Sequence, residues 1–170
     1  MTQTQQGSGR EATVSLSIFV DGDACPVKDE VYRVAGRLRV PVTVVANNGL
    51  RLPVDPLFSL VVVDDKADAA DDYIAERAGP QSIVITADIP LADRCLKAGA
   101  AVIAPNGRPF TEASIGSAMA MRSLMQNLRA GGDQVGGPRP FEKRDRSQFL
   151  QALDAAIVRM KRGGGGTVSR

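Results

Sequence analysis

The chain has 170 residues, of which 44% are hydrophobic and 24% are charged, and its formal net charge is +2. This length is typical of one domain and this composition of a globular protein, which excludes wholesale disorder and a fibrous architecture. Histidine is absent, which excludes mechanisms that need an imidazole, among them Ser-His-Asp hydrolysis and HExxH zinc catalysis.

The first part of the chain predicts alternating strands and helices after a polar tail. Residues 1–14 are rich in Gln, Thr, Ser and Gly and predict a disordered tail. SLSIFV at 15–20 predicts a strand, and Pro26 begins a helix whose apolar residues share one face. PVTVVAN at 41–47 predicts a second strand. LVVV at 60–63 predicts a third, and its unbroken apolar run predicts burial on both faces.

The alternation continues to the end of the chain, and it predicts a single α/β domain over 15–162. Short buried strands between amphipathic helices predict a three-layer α/β/α fold around a mostly parallel central sheet. The remaining predicted segments, in chain order, are a helix over 67–78, a strand over 82–86, a helix over 89–97, a strand over 100–104, a helix over 111–128, an irregular Gly- and Pro-rich stretch over 129–140, a helix over 146–162 and a second disordered tail over 163–170.

Aspartates follow three of the predicted strands. Asp21 and Asp23 come after the first strand and Asp88 after the fourth, while Asp68 and Asp71 begin the helix after the third. Because the carboxyl ends of parallel strands meet at one edge of a sheet, we expect these carboxylates in one pocket. Crowded carboxylates repel each other unless a cation neutralises them, and oxygen ligands select Mg²⁺ or Mn²⁺. The five aspartates therefore predict a catalytic metal site at which an ion activates water against a phosphodiester.

Three of these aspartates also have a purely structural interpretation. Asp23, Asp68 and Asp88 stand at or just before predicted helix starts, where a carboxylate can cap the free backbone N–H groups. One acid per helix is enough for capping, whereas this chain places Asp21 with Asp23 and Asp68 with Asp71. The pairing favours the metal site.

Basic residues are concentrated in the C-terminal part of the chain. Residues 101–170 hold 11 basic and 5 acidic side chains, whereas residues 1–100 hold 10 and 14. Such side chains would supply sequence-independent affinity for the phosphates of RNA or another phosphodiester substrate. The candidate nucleic-acid-binding residues are Asn47 and Arg51 in the loop after the second strand, Arg122 in the long helix, and Arg139, Lys143, Arg144 and Arg146 ahead of the last helix.

The cysteine count and the hydropathy pattern predict a cytoplasmic protein. Cys25 and Cys95 are too few for a disulfide scaffold or a four-ligand zinc site, which favours a reducing compartment. No segment approaches the ~20 apolar residues that a membrane span requires, and the N-terminus has no apolar signal core. We expect no membrane partner, and nothing in the sequence indicates an oligomeric state.

The order of several motifs resembles one known family. FVDGDACPVKDEVYR, PVTVVAN, ADAADDYI, IVITADIPLADRCLKAGA, IGSAMAMRSLMQNLR and GGPRPF with RDRSQFLQAL together resemble the YaiI/YqxD family of bacterial proteins, a branch of the PIN-like superfamily of metal-dependent nucleases, over residues 16–155. The resemblance implies a PIN-like α/β/α fold. It implies an acidic cluster made of Asp21, Asp23, Asp68, Asp71 and Asp88. The nuclease activity that it implies is the activity of the PIN-like superfamily.

Two other functions remain open from the sequence. A non-catalytic nucleic-acid-binding or partner-binding module would keep the fold and use the acids as helix caps. Asp21-Gly22-Asp23 also resembles the DxD nucleophile of haloacid-dehalogenase-type phosphatases, with Thr86 and Lys97 as further motif residues. That family needs an acidic pair after a later strand, where this chain has Pro105-Asn106-Gly107.

Overall fold

The computed structural model describes residues 15–66, 68–130 and 140–165, and it has the predicted three-layer α/β/α architecture. The strands are β1 (Ser17–Asp21), β2 (Val42–Ala46), β3 (Phe58–Val62), β4 (Ser82–Ile85), β5 (Ala101–Ile103) and β6 (Pro109–Phe110). The helices are α1 (Lys28–Leu38), α2 (Ala69–Arg77), α3 (Ile89–Lys97), α4 (Glu112–Ala130) and α5 (Lys143–Gly165), and a 3-10 helix over Gly22–Ala24 links β1 to α1.

The strands form one six-stranded sheet in the order β3-β2-β1-β4-β5-β6. The first five strands are parallel, and β6 pairs antiparallel with β5. β1 lies between β2 and β4, at the point where the strand order reverses. In an open parallel sheet, the crevice beyond the carboxyl ends of the strands at such a point is the usual ligand site.

The core lies on both faces of the sheet because the strand side chains alternate. On β1, Ile18 and Val20 pack with α1 and α5, whereas Phe19 faces the side that α2, α3 and α4 cover. On β4, Ile83 and Ile85 repeat the first pattern. Burial on both faces explains why the central strands read as continuous apolar runs.

One prediction about a strand is wrong, and one strand was not predicted. β3 is not buried on both faces: it lies at the edge of the sheet, none of its five residues is fully buried, and Val62 is 56% exposed. The two-residue strand β6 was not predicted, because Pro109 and Phe110 give too short a pattern to read.

The helices differ from prediction mainly at their ends. α5 begins at Lys143, three residues before the predicted start, and runs to Gly165. The predicted tail at 1–14 and most of the irregular stretch, 131–139, lie outside the described residues. The predicted disorder over 163–170 is wrong for residues 163–165, which continue α5, and residues 166–170 lie outside the described part of the chain. No helix in the described part of the chain has both the length and the apolar character needed to cross a bilayer.

Candidate active site

The candidate site begins where β1 and β4 end side by side. Their register pairs Val20 with Ile85, so Asp21 and Thr86 are the next residues along the two strands. The Thr86 hydroxyl donates to Asp21 Oδ2 at 2.9 Å and accepts from the Asp88 backbone N–H at 2.9 Å. Thr86 is 2% exposed. This buried hydroxyl therefore fixes the Asp21 carboxylate and the backbone of Asp88 relative to each other.

A third carboxylate comes from the first turn of α2, which packs against β1 and β2. The pKa of Asp71 is raised from 3.8 to about 6, first by burial, then by the negative charges of Asp88, Asp21 and Asp68, with Arg94 partly opposing the rise. The pKa of Asp21 is also raised, by burial first, against the lowering effect of the Thr86 hydrogen bond, and further by Asp88 and Asp23. Asp21, Asp71 and Asp88 form what we call the carboxylate cluster.

The burial of Asp71 beside other carboxylates works against folding at neutral pH. The pKa of Asp71 is higher in the folded protein than its ordinary value, so the folded protein binds more protons than the unfolded chain between those two pKa values. The contribution of Asp71 to the free energy of unfolding is therefore greatest below pH 3.8 and is lost as the pH rises through about 6. A bound cation would offset this loss.

The capping interpretation holds for one of the three aspartates to which it was applied. Asp88 is the N-cap of α3, and its Oδ1 accepts from the Leu91 backbone N–H at 2.9 Å. Asp68 occupies the N-cap position of α2 without a side-chain cap hydrogen bond, and Val27 rather than Asp23 occupies that position in α1. Asp23 and Asp68 are therefore not explained as caps.

Asp23 instead holds the loop after β2. Its carboxylate accepts from the Asn47 backbone N–H at 3.1 and 3.3 Å. With its nitrogen turned toward Asp23, the Asn47 side-chain amide donates to both carboxylate oxygens at 3.1 Å. Asn47, predicted to bind nucleic acid, thus contacts an acidic residue of this site. The Asp23 carboxylate therefore holds the loop after β2 in place.

The carboxylates satisfy the chemical requirement for a hard cation but do not form a complete cage. Among the residues that the structure describes, no group of three or more acidic or cysteine side chains is placed to hold a metal ion together. The predicted five-aspartate ligand set is not assembled. Mg²⁺, however, usually binds through one or two carboxylates, with waters and substrate phosphate completing its shell.

Two oxygens are available for such a shared shell. Within the described residues, Asp21 Oδ1 and Asp88 Oδ2 make no hydrogen bond, and none of Asp21, Asp71 and Asp88 forms an ion pair. The nearby Arg94 pairs with Asp72 at 2.9 Å. These two oxygens therefore fit a cation that takes its remaining ligands from water and from the substrate.

Several predicted phosphate-binding residues already have partners within the protein. Arg146 Nη1 donates to the Pro26 carbonyl at 2.7 Å and lies 3.4 Å from both oxygens of Glu30, so it ties α5 to α1. Arg144 pairs with Glu142 at 3.2 Å. The others are exposed and remain predictions, namely Arg51 in the β2–β3 loop, Arg122 on α4 and Lys143 at the start of α5, and Arg139 lies outside the described residues.

Two features of the site were missed by the sequence reading. Thr86 was considered only as a phosphatase motif, yet a threonine ending an otherwise aliphatic buried strand is a readable signal of a hydrogen-bonding role. The Lys28 ammonium donates to the carbonyls of Gly22 at 3.1 Å and Cys25 at 2.9 Å. These hydrogen bonds hold the 3-10 helix that directly follows Asp21. A Cβ at Gly22 would lie 2.7 Å from Val44 Cγ1, so this turn requires glycine.

Neither the phosphatase lysine nor a cysteine nucleophile is present at the site. Lys97 is at the far end of α3 from Asp88, where it pairs with Asp93 at 2.9 Å. Burial raises the pKa of Cys25 and raises that of Cys95 to about 11, so both thiols stay protonated at neutral pH.

Comparison with known proteins gives a consistent family match. The family model described as "Uncharacterized BCR, YaiI/YqxD family" matches residues 19–159. A protein of Sphingopyxis alaskensis named "UPF0178 protein" is 66% identical over 147 residues, which are 86% of this chain and 96% of that protein. A "UPF0178 protein" of Nitrobacter winogradskyi is 61% identical over 148 residues, 87% of this chain and 94% of its own length. No solved structure gives a significant match.

Proposed function

The chain belongs to the YaiI/YqxD family, and from its carboxylate cluster we propose that it is an Mg²⁺- or Mn²⁺-dependent phosphodiester hydrolase acting on RNA. The observation that carries the proposal is that the buried Thr86 hydroxyl holds Asp21 beside Asp88 at the edge of the sheet, with Asp71 of α2 nearby. Burial first, and then the charges of Asp88, Asp21 and Asp68, raise the pKa of Asp71 to about 6. An arrangement that opposes folding yet is built from several elements is typical of a functional site.

The protein's own contribution to the reaction is to hold oxygen ligands in place at the open edge of the sheet. Thr86 fixes one oxygen of Asp21 and leaves the other available, and the cap of α3 does the same for Asp88. When bound there, Mg²⁺ or Mn²⁺ supplies an activated water and neutralises charge on the phosphate.

The structure gives less support to the two alternatives. The phosphatase interpretation lacks its lysine, because Lys97 lies one helix length from Asp88. A non-catalytic module explains the cap at Asp88 but leaves the repulsion among Asp21, Asp71 and Asp88 without a purpose.

The direct test is hydrolysis of end-labelled single-stranded RNA, with single-stranded DNA as the comparison. We expect the purified full chain to cleave RNA in Mn²⁺ or Mg²⁺ and to stop when EDTA removes the ion. Cleavage that persists in EDTA would contradict the metal-dependent reaction. A preparation that cleaves neither RNA nor DNA with either ion would overturn the proposal.

A further inference from the structure

A cleft adjoins the carboxylate cluster at the same edge of the sheet. It has a volume of about 360 Å³. Two of its lining residues are next to site residues in the chain: Ala24 follows Asp23, and Ala87 precedes Asp88. Consecutive Cα atoms are ~3.8 Å apart, so the cleft begins within one residue of the acids on both sides.

The walls of the cleft are largely apolar. They are formed by Pro26, Pro105, Phe141 and three alanines, Ala24, Ala87 and Ala104. Phe141 is 37% exposed, so part of its ring is accessible from the cleft. An exposed aromatic ring beside proline rings offers a stacking surface for another flat ring.

The polar residues that line the cleft are Asn106 and the buried Asp145, whose Oδ2 accepts from the Glu142 backbone N–H at 2.8 Å. Asn106 accepts from the Arg108 backbone N–H at 3.0 Å through its side-chain oxygen, and within the described residues its side-chain nitrogen donates to no partner. A side-chain amide that presents N–H groups beside an apolar slot can hydrogen-bond the edge of a nucleobase. An apolar slot with one or two polar groups is the usual form of a small-molecule site.

Arg146 positions two of these walls instead of contacting substrate. Its guanidinium donates to the Pro26 carbonyl at 2.7 Å and lies 5.0 Å from the centroid of the Phe141 ring. Pairing with the nearly buried Glu30 holds the guanidinium in place. The aromatic ring is therefore held against α1 before any ligand arrives.

We propose that this cleft binds one nucleobase of a single-stranded nucleic acid, stacked on Phe141, with the adjoining phosphodiester over Asp21 and Asp88. The position of the phosphodiester rests on the proposed function, whereas the base-binding cleft does not. The substrate is then single-stranded, because a paired base is stacked within its own duplex and cannot enter a slot.

The test measures binding, so it does not depend on hydrolysis. A short single strand that carries one 2-aminopurine is titrated with the full chain in Ca²⁺, in parallel RNA and DNA forms. We expect the fluorescence to be quenched as the base stacks. Phe141→Ala should bind about tenfold more weakly, and Phe141→Tyr should bind as the wild type does. A strand with an abasic site in place of the bound base should lose a similar factor with the wild type and little with Phe141→Ala.

Leu124→Ala is the matched control, because Leu124 is 50% exposed on α4, outside the cleft. It removes exposed apolar surface and should leave binding unchanged. Equal affinity of the wild type and Phe141→Ala, or no binding of any strand, would overturn the inference. RNA cleavage together with such a result would leave the proposed hydrolase intact. Base-dependent binding without cleavage would instead support the cleft and refute the hydrolase.

Discussion

Asp88→Asn is expected to slow divalent-cation-dependent RNA cleavage by about a hundredfold or more while the protein remains folded. Asn caps a helix about as well as Asp does, so the hydrogen bond from Leu91 to residue 88 is kept and α3 retains its N-terminus. The substitution removes the negative charge that Asp88 contributes to Asp21 and Asp71. Loss of one preorganised electrostatic contact to a reacting group typically costs 10²- to 10³-fold in rate. The rate of RNA hydrolysis in Mn²⁺ measures the effect.

Asp93→Asn is the matched control for this variant. Asp93 lies on the same helix and pairs with Lys97, and it is not among the charges that shift the pKa of Asp21 or Asp71. Its removal should leave the rate within about twofold of the wild type and cost under ~0.5 kcal/mol of stability, as surface ion pairs usually do. If Asp88→Asn cleaves RNA as fast as Asp93→Asn does, the cluster is not the catalytic site.

Gly107→Ala is expected to reduce the free energy of unfolding by about 2–5 kcal/mol, through backbone strain and overpacking together. Gly107 has φ +91°, in the turn between β5 and β6. A Cβ there would lie 2.7 Å from the carbonyl carbon of Gln148 and 2.8 Å from the backbone nitrogen of Phe149. These are main-chain atoms of α5, which cannot move aside as a flexible side chain would. For a chain of this size, the melting temperature should fall by about 10 °C.

Gly116→Ala provides the comparison for Gly107→Ala. Gly116 lies within α4, and a Cβ there would meet nothing within 4 Å. Because alanine favours the helix more than glycine does, this variant should be more stable than the wild type by about 1 kcal/mol. Thermal unfolding of both variants shows whether the loss of stability is specific to the crowded backbone at Gly107 or follows any added methyl group. Equal melting temperatures for Gly107→Ala and the wild type would show that the turn does not pack on α5 as described.

The fold could be predicted because its central strands and its helices carry strong periodic patterns. α3 was predicted with its observed bounds, since Asp88, Pro90 and Gly99 mark its two ends. The position of β3 in the sheet was not readable, because an apolar run looks the same in an edge strand and a central one. Strand order depends on contacts between distant segments, which the pattern of one segment does not contain.

The sequence predicted at which edge of the sheet the aspartates meet, and only partly which of them lie together. The rule that parallel strands end at one edge correctly placed Asp21 and Asp88 together. It did not reveal that Asp23 would bind the loop at Asn47 or that Arg146 would bind Pro26. Such assignments depend on which neighbour lies within hydrogen-bond distance, and the spacing of residues along the chain does not determine that. The sequence therefore predicted that aspartates meet at this edge of the sheet. The hydrogen bonds show which of the predicted side chains are occupied by contacts within the protein.

The most direct test of the central claim, that the carboxylate cluster binds a cation through Asp21 and Asp88, is a crystal structure of the protein soaked in Mn²⁺. Anomalous scattering identifies the ion without reference to activity. We expect a single strong peak with one oxygen of Asp21 and one of Asp88 about 2.0–2.3 Å away, in the range hard cations adopt. A fully soaked crystal with no peak at the carboxylate cluster, or with Mn²⁺ only at other acidic residues, would contradict the account.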